Sequence, residues 1–134
     1  MGTIVVGFVP KPEGRAAVER GIAEARLRGS KLVVINSHRG GREFDADKAR
    51  QVEQDLERVR AELERSEIEH DIRQLVRGQE VADDVVAVAE ETKADLIVIG
   101  LRRRSPVGKL LLGSNAQRIL LDAPCAVLAV KSDG

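Results

Sequence analysis

The chain has 134 residues, a length suited to one domain with a buried core, and 43% of them are hydrophobic, which excludes a disordered polypeptide. Its 22 basic residues balance its 22 acidic ones, so there is no global field to draw in nucleic acid or an anionic membrane. Phe8 and Phe44 are the only aromatics, too few to build a stacking platform for single strands, and the lone Cys125 excludes an internal disulfide and any cysteine-based metal cluster.

Taken in order, Thr3 to Val9 is a β-branched apolar run ending at Pro10 and Pro12, the pattern of a buried strand. Glu13 to Arg28 is predicted as a helix, with Val18, Ile22 and Ala25 on one face and Gly29 as its stop. Lys31 to Ser37 is a second strand, followed by a loop that contains Gly40 and Gly41. Asp47 to Arg65 places Val52, Leu56, Val59 and Leu63 at helical spacing. Glu67 to Val76 alternates, with Ile68, Ile72 and Val76 on one side and charge opposite, as in an edge strand with a wetter face. Glu80 to Thr92 is a third helix with Val81, Val85 and Val88 inward. Ala94 to Gly100 is a buried strand, Ser114 to Asp122 a fourth helix, and Cys125 to Lys131 a closing fifth strand in which Cys125 is a small buried residue.

Strands and helices therefore alternate throughout. Right-handed crossovers turn that order into an open, mostly parallel α/β sheet with helices on both faces, one domain spanning 1–134 without repeat or linker. No apolar run reaches the roughly 18–20 residues that cross a bilayer, and the amino end has no basic segment leading into an apolar stretch and cleavage site. A cytoplasmic location is the expectation.

Ligands of open parallel sheets sit beyond the carboxyl ends of the strands, where strand order reverses. The loops there are Val9 to Glu13, Asn36 to Gly41 and Gly100 to Gly113. The third is the most informative segment of the chain. Arg102, Arg103, Arg104 and Lys109 stand between two glycines, and Gly113-Ser114 opens a helix whose amino end would face an anion. Ser114 is a natural N-cap, either purely structural or also in contact with an anion. The four cations are either a solvated loop or phosphate ligands. His38 closes strand two near the cleft, and His70 on the edge strand has a structural role; neither has a second ligand at metal spacing. The carboxylates, Asp83-Asp84 and Glu90-Glu91 among them, fall on helix faces, and nothing pairs them in the cleft for acid–base work. No nucleophile elbow, Cys-His arrangement or Walker sequence is present, so the residues point to binding rather than catalysis, with no catalytic or metal-ligating residue.

From Gly100 through Gly113-Ser114 and Gln117-Arg118-Ile119-Leu120 to Ala123-Pro124-Cys125-Ala126-Val127-Leu128, the chain resembles the carboxyl half of the universal stress protein (UspA-like) family. Ile4-Val5-Val6-Gly7, Pro12 to Ala17, Ala25 to Gly29 and Ala94 to Gly100 extend the likeness over nearly the whole chain. The resemblance implies a Rossmann-like fold of the adenine nucleotide alpha hydrolase type, with a five-stranded sheet in the order 3-2-1-4-5. It also implies a homodimer through the strand Cys125 to Lys131. In many members the cleft holds ATP or AMP, possible here with magnesium. Carried onto this chain, the cleft residues are Val9, Pro10, Ser37, Ile99, Gly100, Arg102, Arg103, Gly113, Ser114 and Asn115.

Two positions depart from the family pattern. The middle glycine of the nucleotide motif falls on Arg103, and the aspartate common after strand one is Val9, followed by Pro10-Lys11-Pro12. Arginine lacks glycine's freedom at positive φ but offers an anion its side chain, while valine accepts no hydrogen bond. Gly108, absent from the family pattern, offers backbone freedom farther along. Three functions compete: a dimeric stress-response module that binds an adenine nucleotide, a nucleotide-independent interaction module of the same fold, and slow ATP hydrolysis.

Overall fold

The computed structural model describes residues 2–38, 45–76, 80–102 and 112–132. Its elements are β1 (Thr3–Gly7), α1 (Pro12–Arg28), β2 (Lys31–His38), α2 (Ala46–Arg65), β3 (His70–Val76), α3 (Val81–Thr92), β4 (Leu96–Arg102), α4 (Ser114–Asp122) and β5 (Ala126–Ser132). The five strands form one parallel sheet in the order β3-β2-β1-β4-β5.

The two-residue period of the strands sorts their side chains into two layers. Ile4, Val6, Leu32, Val34, Leu96 and Val98 face α1 and α2, meeting Val18 and Ile22 on the first helix and Val52, Leu56, Val59 and Leu63 on the second. Val5, Val33, Ile35, Ile97 and Ile99 face the other way, onto Val85, Val88 and Ala89 of α3 and Ile119 of α4. Both faces are therefore covered, which is why these strands read as continuous apolar runs. The register aligns Val5 with Val33 on one side and Ile97 on the other, at the centre of the sheet.

Local chemistry sets most of the element ends. Pro12 opens α1, where a missing N–H costs nothing, and Gly29 closes it in the left-handed region with its N–H on the Ala25 carbonyl. Asp45 caps α2 by accepting a hydrogen bond from the Lys48 N–H at 2.9 Å. The edge strand starts later than its alternation suggests. Glu67 takes a φ of 57° just after α2, so Ile68 lies in the connection while still packing against the α1/α2 layer. Strand β1 ends at Gly7, and Val9 and Lys11 form a turn in which the Lys11 N–H donates to the Val9 carbonyl.

Cys125 is corrected in two respects. It precedes β5 rather than opening it, and it is half-buried. It packs against the α3/α4 layer just before the edge strand.

Candidate functional site

Strand order reverses between β1 and β4, so the crevice of this sheet lies where their carboxyl ends diverge. A cleft of about 130 Å³ occupies that place. Gly7, Phe8 and Val9 form its β1 side, Ile99 and Gly100 its β4 side. Val81 and Val85 from α3 and Asn115, Ala116 and Ile119 from α4 complete the wall. The lining is apolar apart from backbone groups and one amide, which suits a flat, weakly polar ring system.

Four of the sequence-predicted residues, Val9, Ile99, Gly100 and Asn115, converge here, and Ser114 precedes Asn115 at the start of α4 without lining the cleft. Pro10 belongs to the turn beside Val9. Arg102, the last residue of β4, is exposed and lines a separate recess with Lys11, Pro12 and Glu13. Arg103, together with Arg104, Gly108 and Lys109, lies outside the described residues.

The two framing glycines have different reasons to be glycine. A Cβ on Gly100 would stand 1.9 Å from the Glu13 carbonyl oxygen, so the amino end of α1 fits against β4 only because this residue has no side chain. Around Gly113 a Cβ would meet nothing within 4 Å, and its φ of −69° is open to any residue. No neighbouring atom among the described residues demands a glycine at that point.

The start of α4 corrects the expectation for Ser114. The N-cap is Gly113, and Ser114 is the first helical residue, with no side-chain capping bond. The first intrahelical bond runs from the Gln117 N–H to the Gly113 carbonyl at 3.1 Å, so the N–H groups of Ser114, Asn115 and Ala116 have no partner within the helix. An uncapped amino end with exposed Gly113 and Ser114 is a place where an anion finds backbone donors and a favourable helix dipole.

Ser37 also differs from its expected part. Its hydroxyl donates a short hydrogen bond to Asp84 Oδ2, and both residues are buried, Asp84 completely. Asp84 is therefore not on a solvated helix face. The other carboxylate oxygen, Oδ1, has no hydrogen-bond partner among the described residues. Sequence reasoning passed over this pair, although a signal existed. Asp84 lies three residues after Val81 and four before Val88, on the apolar stripe of α3, and Ser37 continues the inward series Val33, Ile35.

Asn36, Asn115 and Arg118 brace the site from behind. Asn36 Nδ2 donates to the Phe8 carbonyl at 3.2 Å, fixing the end of β1 where the cleft begins. Asn115 Oδ1 accepts the Ala82 N–H at 3.1 Å, and Arg118 pairs with Asp83, so α4 grips the first turn of α3. His70 plays the local part expected of it, its Nδ1 lying 2.9 Å from the Ile68 carbonyl oxygen. His38 is the last residue of β2.

The model of the universal stress protein family matches residues 1–131. A universal stress protein of Mycolicibacterium smegmatis is 48% identical over 131 residues, covering 98% of each chain. Among solved structures, a universal stress protein from Archaeoglobus fulgidus superposes with a TM-score of 0.85 at 34% identity, covering 98% of this chain and 99% of that one. A universal stress protein from the same organism in complex with dAMP superposes with a TM-score of 0.78 at 29% identity, over 98% of both chains.

Proposed function

The chain belongs to the universal stress protein family, and from that premise we propose that it is a stress-response module binding an adenine nucleotide, ATP or AMP, between the carboxyl ends of β1 and β4. The observation that carries this reading is Gly113. It stands at the open amino end of α4 where nothing among the described residues requires a glycine, and its bare backbone suits close approach by a phosphate. An archaeal relative that holds dAMP supports the choice of nucleotide.

In this reading the apolar walls, Val9, Val81, Val85 and Ile99, enclose the base. The N–H groups at Ser114 and Asn115 meet the phosphate, with Arg102 and Arg103 adding positive charge. Magnesium, where present, would ride on the nucleotide phosphates, because the described lining contains no carboxylate. The same lining offers no general base, so the reading is of binding without a chemical step. The protein works in the cytoplasm as a homodimer whose contact is β5.

Calorimetric titration with AMP and with ATP, with and without magnesium, tests the reading. Saturable heat at a one-to-one ratio per chain supports it. No heat at millimolar nucleotide overturns it in favour of a nucleotide-independent interaction module of the same fold.

A further inference from the structure

Resting on the nucleotide reading, we propose that Asn115 and Arg118 are positioning residues, which hold the amino end of α4 in register for a phosphate by gripping α3. Among the described residues, helix α4 has few other anchors. It is nine residues long, Ile119 is its one buried residue, and it packs chiefly on α3. A helix this short is marginal by itself, so its orientation must come from tertiary contacts.

The grip has two points, three residues apart on one face of α4. Asn115 Oδ1 accepts the N–H of Ala82, and Arg118 Nη2 donates to Asp83 Oδ1. Their targets are consecutive residues in the first turn of α3, the N–H of Ala82, an orphan donor of that turn, and the carboxylate of Asp83, whose own N–H donates to the Glu80 carbonyl. The N-cap residue of α3, Glu80, makes no capping bond with its side chain, and the side-chain cap on the Ala82 N–H comes from Asn115, 33 positions beyond Ala82. A single contact would let α4 roll about it; two contacts a turn apart fix both its roll and its height. Asn115 is thus engaged with α3 through the one atom that accepts hydrogen bonds on its side chain. The Arg118–Asp83 pair is about half exposed, and such pairs add little stability. What it sets is direction.

The test compares AMP with adenosine, which share the base and ribose but differ in the phosphate. In the full chain, Asn115→Ala is expected to weaken AMP about fivefold, the equivalent of one lost helix cap, and adenosine by a clearly smaller factor. Arg118→Asp is expected to lower the AMP-to-adenosine preference, and the swap Asp83→Arg with Arg118→Asp to restore it. A merely structural role would weaken both ligands alike, and the swap would restore nothing; either result overturns the proposal. If the wild type binds neither ligand, the nucleotide reading fails by itself, and amide exchange at Ala82 decides the grip. Faster exchange in Asn115→Ala upholds it, and unchanged exchange overturns it.

Discussion

The carbonyl oxygen of Glu13 lies where the backbone of Gly100 leaves room for it and for nothing larger, 1.9 Å from the point a Cβ would occupy. One glycine of the motif is thus explained by packing between α1 and β4, whereas no described atom gives Gly113 such a reason. Two residues of one motif serve different ends.

Substitution should separate them. Gly100→Ala forces a methyl group into backbone and is expected to cost about 3 kcal/mol, the upper end for overpacking. Gly113→Ala changes an exposed N-cap and is expected to cost less than about 1 kcal/mol, while weakening AMP about tenfold because the phosphate loses its close approach. Urea midpoints and calorimetric affinities for the two variants check both statements.

The Ser37–Asp84 hydrogen bond joins β2 to α3 inside the α3/α4 layer. Ser37→Ala leaves the carboxylate without its described partner and is expected to cost about 2 kcal/mol. In a double-mutant cycle with Asp84→Asn, the two changes should fail to add. Additive losses would show that the two side chains do not depend on each other.

Cys125 has its thiol pKa pushed up, first by burial and then by the negative charge of Asp95. A raised pKa leaves less thiolate at neutral pH, so alkylation should be slower than that of a free cysteine, with the rate rising at higher pH. Asp95→Asn removes one cause and is expected to move the profile down in pH. The dependence of the iodoacetamide reaction rate on pH measures both.

Strand β5 is an edge paired with β4 alone, and its apolar residues Val127, Leu128, Ala129 and Val130 are half-buried. Leu120 and Leu121 of the preceding helix are exposed, the latter at 83%. An apolar edge of this kind is a template for another strand. Light scattering at micromolar concentration should give twice the mass of one chain; the mass of a single chain would refute the dimer.

Much of the fold could be read from periodicity, because hydrophobic burial acts on each element separately. Val52, Leu56, Val59 and Leu63 declared α2 through their spacing, and all four are buried. The α/β alternation implied the parallel sheet, and family resemblance supplied its strand order. The site was less legible because its polar residues act across long separations. Nothing local to Asn115 announces that it caps a helix beginning at Val81, and nothing beside Asp84 names Ser37 as its partner. Ser114 was assigned the N-cap on residue preference, yet the chain turns into the helix one residue earlier, at Gly113. Strand ends shifted by one to three residues, as at β1, where the turn at Val9 stops the ladder before the apolar run is over.

The most direct measurement is a crystal structure grown with ATP. The expected result is adenine against Val9, Val81 and Ile99, with phosphates at the N–H groups of Ser114 and Asn115. An empty cleft at millimolar ATP, or nucleotide bound away from Gly113, would contradict the assignment.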